Sequence, residues 1–110
     1  MSSRSELEIQ PAELLRRLKS GEKPVLLDVR RPDEAEICAF EGSVLIPLHE
    51  LAYRMDELDP NQPTVVYCHH GVRSLNATVM LREAGFTNVR SLAGGVDRWA
   101  AEIDPAMPRY

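Results

Sequence analysis

TVVYCHHGVRS, residues 64–74, runs without a break from an apolar stretch into a polar turn and on into helical periodicity. Residues 64–67 are apolar or β-branched at every position rather than at every second one, the pattern of a strand buried on both faces. Gly71 marks the turn. Lacking a Cβ, it takes backbone angles that other residues resist, so the chain can bend sharply after Cys68. From about Ser74 to Ala84 the small and apolar positions Ala77, Leu81 and Ala84 share one helical face, and Gly85 stops the helix. A cysteine therefore stands where a buried strand feeds a helix.

The same pattern recurs on either side. Apolar runs rich in Val, Ile and Leu occupy residues 25–29 (VLLDV), 44–46 (VLI) and 89–92 (VRSL), and each reads as a further buried strand. Helical stripes lie between them. Leu14, Leu15 and Leu18 follow Pro11, which suits a first helical turn, and Gly21 suits the position past the last. Leu51, Met55 and Leu58 make another stripe, ended by Pro60, and Val96, Trp99, Ala100 and Ile103 make the final one. Strand and helix alternate throughout, and strands apolar at every position need cover on both sides. The fold class is therefore α/β, a mainly parallel sheet flanked by helices on both faces. In such sheets ligands bind beyond the carboxyl ends of the strands, which directs attention to the turn after Tyr67.

With 110 residues, 44% of them apolar, the chain can build one core and is too short for two, so residues 1–110 are read as a single domain. No repeat, low-complexity tract or interior linker divides it. The first few residues and the tail 104–110 are expected to be the least ordered parts. The net charge is -4, with 13 Lys and Arg scattered among 17 acids, which argues against a nucleic-acid partner. No apolar run approaches the roughly 20 residues of a bilayer span, and the opening MSSRSELEIQ lacks the basic and apolar regions of a secretory signal. The expectation is a cytoplasmic protein with no membrane partner. In that setting Cys38 and Cys68 are expected as free thiols. Cys68, His69 and His70 are adjacent and could hardly share one tetrahedral ion, so no metal is expected.

The turn suits a nucleophile. Gly71 lets successive N–H groups converge on one point, a concave anion site where the next helix begins. Donors aimed at Cys68 favour its thiolate, the reactive form, over a thiol whose ordinary pKa is about 8.5. The bland alternative is a cysteine buried merely as a small hydrophobe. Such a residue does not require Gly71, Arg73 and Ser74 at the opening of a periodic helix, and that company favours the nucleophile.

The stretch YCHHGVRS (67–74) resembles the active-site loop of rhodanese-like domains. LLDVRRPDEAEI (26–37), GSVLIP (42–47) and LAGGVDRW (92–99) follow that family's order, so the resemblance runs from about Leu7 to the terminus. The closing GGVDRWAAEIDPAMPRY (94–110) is also similar to the rhodanese modules that follow the adenylyltransferase domain in enzymes activating sulfur-carrier proteins. The resemblance implies a five-stranded parallel sheet and a thiosulfate sulfurtransferase-type reaction. Cys68 would take a sulfane sulfur from a small anionic donor such as thiosulfate, hold it as a persulfide, and pass it to cyanide, a thiol or a sulfur-carrier protein. The loop of His69, His70, Gly71, Val72, Arg73 and Ser74 would bind the persulfide. Arg73, with His69 or His70 when protonated, would attract the donor, and no cofactor is needed.

Asp28 and Arg30 match the acid and arginine that help to brace the active loop in the family, a role set against a plain structural one in which Arg30 pairs with Glu34. There are two departures. Residues 39–43 (AFEGS) stand where the family often has His-Ile-Pro-Gly-Ala, and Arg31 replaces a common acid. His69 and His70 either line the substrate's approach or are solvated loop residues. Cys38 is read as a small core residue rather than a resolving thiol, Trp99 as core, and Arg16 and Arg17 as a solvated helix face. Two rival functions remain: a non-catalytic binding module of the same fold, and a cysteine phosphatase. The second is disfavoured, because four residues separate Cys68 from Arg73, one fewer than in the phosphatase loop, and the tighter ring suits a single sulfur better than a phosphate.

Overall fold

Alternation along the chain becomes layering in space. The computed structural model describes residues 3–110. Its elements are α1 (Arg4–Leu7), β1 (Glu8–Ile9), α2 (Pro11–Lys19), β2 (Val25–Asp28), α3 (Pro32–Ile37), β3 (Val44–Leu45), α4 (Leu48–Arg54), a 3-10 turn (Met55–Glu57), β4 (Thr64–Tyr67), α5 (Val72–Glu83), β5 (Val89–Leu92) and α6 (Gly95–Glu102). The strands form one sheet in the order β1-β5-β4-β2-β3, with every neighbouring pair parallel. This is the five-stranded α/β architecture expected from the sequence, with β4 at its centre.

The pleat divides the core in two. Val66 and Cys68 point to one face, where Leu27, Val29 and Val89 meet Leu51 of α4 and Ala77 and Leu81 of α5. Val65 and Tyr67 point to the other, where Ile9 and Leu92 meet Leu14 of α2 and Val96 and Trp99 of α6. Each fully buried Leu contributes about 2 kcal/mol by its removal from water, so both layers hold the sheet. Trp99 is core as read, stacked edge-on against Phe40 at 5.0 Å. Cys38 lies in the second cluster, and both cysteines are free thiols.

The differences from the sequence reading are local. The stripe Leu51, Met55, Leu58 does not form one helix: α4 stops at Arg54 and a 3-10 turn carries Met55. α5 begins at Val72, two residues before the periodic stripe, because the loop folds straight into it. The tail does not match the expectation of a loose end. Met107 packs on the second core, Arg109 pairs with Asp97 at 3.0 Å, and Tyr110 reaches the turn after β4. Of the chain start, residues 1–2 lie outside the described residues and Arg4–Leu7 form α1. Among the described residues, no helix is long and apolar enough to cross a membrane.

Candidate active site

Cys68 is the first residue past β4, and the chain curls around its sulfur. The N–H of Gly71 donates to Sγ at 3.1 Å and the N–H of Ser74 at 3.3 Å, while the Ser74 hydroxyl lies 3.3 Å from it. Gly71 makes the curl with φ +98°, and a Cβ there would sit 3.0 Å from the Gly94 nitrogen. The loop's carbonyls are held the other way. The N–H groups of Val96 and Asp97, in the first turn of α6, donate to the carbonyls of Cys68 and His69 at 3.0 and 3.1 Å. A Cβ on Gly95 would collide with those same two carbonyls. The GGV segment thus lets α6 close on the loop, and with the carbonyls drawn outward the amides face the sulfur. Cys68 itself is only 1% exposed.

A second layer of charge stands behind the loop. Arg30 is fully buried, and its Nε and one terminal nitrogen grip both oxygens of Asp28 at 2.9 and 2.8 Å. The same terminal nitrogen donates to the Cys38 carbonyl at 2.6 Å, and the other donates to the Tyr110 hydroxyl at 3.0 Å. Burial alone would lower the guanidinium pKa, but the bonds to Asp28 and Tyr110 outweigh it and hold the pKa above its ordinary value.

The Arg30–Glu34 ion pair is not formed. Arg30 meets Glu34 only at its backbone carbonyl, 3.3 Å away, because Asp28, two residues along the chain, already offers a two-oxygen fork. The Glu34 carboxylate points instead at α5, where both terminal nitrogens of Arg73 bind it at 2.6 and 2.9 Å, and the Tyr110 hydroxyl donates to it at 2.8 Å. The Arg73 fork, helped by Tyr110, holds the Glu34 carboxyl down at about 2. Arg73 is raised in turn by Glu34. Arg73 therefore braces α5 to α3, its side chain 33% exposed, and among the described residues no hydrogen bond joins it to the sulfur.

The two histidines lie on the outer side of the loop. His69 is stacked on Tyr110 at 3.8 Å and 10°, and against His70 at 3.9 Å. Burial first, then the charge of His70, lowers the His69 pKa from 6.5. His70 is exposed, with Nδ1 3.8 Å from an Asp97 oxygen. His69, His70 and Asp97 are the described residues best gathered to meet a cation, their donor atoms within 4.8 Å of one another, though Asp97 is already paired with Arg109. Val72 is 64% exposed beside them. A cleft of about 320 Å³ opens next to Arg73, lined also by Val29, Arg30, Arg31, Leu48 and His49.

The structure thus gathers Cys68, Gly71 and Ser74 on the sulfur, puts Asp28, Arg30 and Arg73 behind the loop, and leaves His69, His70 and Val72 on its rim. The residues 39–43 that depart from the family pattern pack on Tyr67: Phe40 edge-on at 4.8 Å, and Ser43 with its hydroxyl 2.7 Å from the phenol. Sequence reasoning missed three participants. Ser91 of β5, whose hydroxyl lies 2.8 Å from that of Ser74, was legible only as a polar residue inside an apolar run. The amides of α6 and the Tyr110 phenol gave no local signal.

Comparison with known proteins agrees with this architecture. Residues 10–102 match the rhodanese-like domain family. The chain is 38% identical over 104 residues to the probable adenylyltransferase/sulfurtransferase MoeZ of Mycobacterium tuberculosis, an alignment covering 93% of this chain but 26% of that protein. It therefore spans about a quarter of that relative's length. It is 33% identical over 93 residues to a sulfurtransferase of Allochromatium vinosum, covering 84% of this chain and 87% of that one. Among solved structures, a rhodanese-related protein from Thermoplasma volcanium superposes with a TM-score of 0.79 at 31% identity, over 87% of this chain and 92% of that one. On fold, loop and sequence together, the chain belongs to the rhodanese-like domain family, with sulfurtransferases among its relatives.

Proposed function

We propose that the protein is a sulfurtransferase that carries sulfane sulfur as a persulfide on Cys68. The observation that supports this most directly is the pair of backbone N–H groups, of Gly71 and Ser74, that donate to Sγ at 3.1 and 3.3 Å, with the Ser74 hydroxyl 3.3 Å away and able to turn its proton to the sulfur once the thiol is ionised. Such a set stabilises an anionic sulfur and is already in place before reaction, so little rearrangement is needed as charge develops. In the first half-reaction the Cys68 thiolate attacks the outer sulfur of thiosulfate. The S–S bond of the donor breaks, sulfite departs with the electron pair, and a Cys68 persulfide remains. In the second, a nucleophile attacks the outer sulfur of that persulfide and the thiolate returns. Cyanide would leave as thiocyanate, and a thiol would leave as a persulfide. For a sulfur-carrier protein the roles reverse: the outer sulfur attacks the carrier's activated C-terminal acyl group, the activating group departs, and external thiols then reduce the acyl disulfide, releasing the thiocarboxylate and returning Cys68.

The deep setting of Cys68 favours a donor that presents one sulfur atom at a narrow tip. Substrate approach is assigned to the rim formed by His69, His70 and Val72, with Arg73 lending positive charge from behind. Intact mass spectrometry after thiosulfate treatment tests the reading. One added sulfur is expected, removable by cyanide as thiocyanate and absent in Cys68→Ser. A second reading, a non-catalytic binding module, draws on the 1% exposure of Cys68. It becomes the better account when the wild-type chain takes up no sulfur.

A further inference from the structure

Ser91 lies within β5, fully buried, on the strand beside the one that delivers Cys68. Its Oγ is 2.8 Å from Ser74 Oγ, which in turn is 3.3 Å from Cys68 Sγ. Among the described residues these are the only side-chain hydrogen bonds made by the two hydroxyls. Two contacts can accommodate two protons. A neutral thiol brings three, one each on Sγ, Ser74 and Ser91, so one of them has no acceptor. The thiolate brings two, and both are satisfied when Ser91 donates to Ser74 and Ser74 donates to the sulfur. The N–H groups of Gly71 and Ser74 add only further donors to the same atom.

A buried donor without an acceptor is costly, and hydrogen bonds to an ionised group are the stronger ones. We infer that Ser91 is a positioning residue: it takes the acceptor side of the Ser74 hydroxyl, turns its proton toward Cys68, and so favours the anionic sulfur. The inference rests on the reading of Cys68 as the sulfur carrier, but its test does not require turnover.

The test is the thiolate ultraviolet absorbance of the full chain followed against pH, each trace corrected by its Cys68→Ser counterpart so that Cys38 and the tyrosines cancel. Arg73 with Glu34, and His69, His70 and Asp97 around the loop, are unchanged in every variant. Ser91→Ala is expected to raise the midpoint by about half a unit to one unit, roughly three- to tenfold less thiolate at a pH below it. In a Ser74→Ala background the same substitution is expected to add nothing, because its route to the sulfur is gone. An unmoved midpoint in Ser91→Ala, or an equal shift in both backgrounds, overturns the inference, the latter because it reports packing alone. Should Ser91→Ala fail to fold, Ser91→Gly removes the same hydroxyl without adding bulk or a titrating group and is expected to raise the midpoint in the same direction; an unmoved midpoint there overturns the inference equally. Sulfur loading of the wild type is scored separately, so its failure counts against the carrier reading and not against the role of Ser91.

Discussion

Replacing Glu34 by Gln should remove part of this fold's response to acid, by an amount that can be worked out beforehand. Glu34 is buried and receives the Arg73 fork at 2.6 and 2.9 Å and the Tyr110 hydroxyl at 2.8 Å. Its pKa falls from 4.5 to about 2. A folded-state value below the unfolded one means that the group stabilises the fold above pH 4.5, and that this contribution fades as pH falls toward 2. At about 1.4 kcal/mol per unit, its full size is roughly 3 kcal/mol, with more than half gone by about pH 3. Glu34→Gln keeps the shape and removes the charge. The variant should therefore be less stable than wild type by about 2 to 3 kcal/mol at about pH 7 and by roughly half of that or less at about pH 3. Urea unfolding of both proteins at the two pH values measures the gap, and the remaining carboxylates cancel in the difference. A gap of equal size under the two conditions would refute the claim that the ionised fork on Glu34 supports the loop.

Two further outcomes follow from the same network. Tyr110→Phe keeps the stack on His69 but removes a hydroxyl that accepts from Arg30 and donates to Glu34, so urea unfolding should show a loss of about 1 to 2 kcal/mol. An unchanged unfolding midpoint would mean that the phenol is a spectator. Gly95→Ala sets a methyl against the carbonyls of Cys68 and His69, so α6 must back away from the loop, at a cost of about 2 kcal/mol or more. Sulfur loading by thiosulfate should fall in this variant even at temperatures where circular dichroism shows it folded, and full loading there would show that α6 does not shape the loop.

How much of this could be read from the chain follows from distance along it. VLLDV and TVVY declared themselves as buried strands because each is apolar or β-branched over nearly a whole strand length, and VRSL did so more weakly, through Val89 and Leu92 at its two ends. β1 did not, since two residues carry no period and their pairing is decided by β5, at the other end of the chain. α3 was equally faint: PDEAEI has too few apolar residues for a stripe, and its start is set by Pro32 and by the Glu34 side chain accepting from the Arg31 N–H. The loop was legible because cysteine, glycine and serine act within a few residues of one another. Its support was not. Glu34 meets Arg73 across 39 positions, Ser74 meets Ser91 across 17, and Tyr110 meets Glu34 across 76. Arg30 shows how a local rule misleads. Its spacing to Glu34 suited a helical ion pair, but Arg30 lies before the helix, and the neighbouring Asp28 captured it.

The placement of the two thiols in different layers carries a consequence for redox life. With the hydrogen-bonded ribbon as a partition between them, Cys38 is in no position to rescue Cys68 once peroxide has converted it to a sulfenic acid. Repair then falls to a visiting thiol, and under the proposed function a small-molecule or protein thiol able to unload the sulfur would also be able to restore the site.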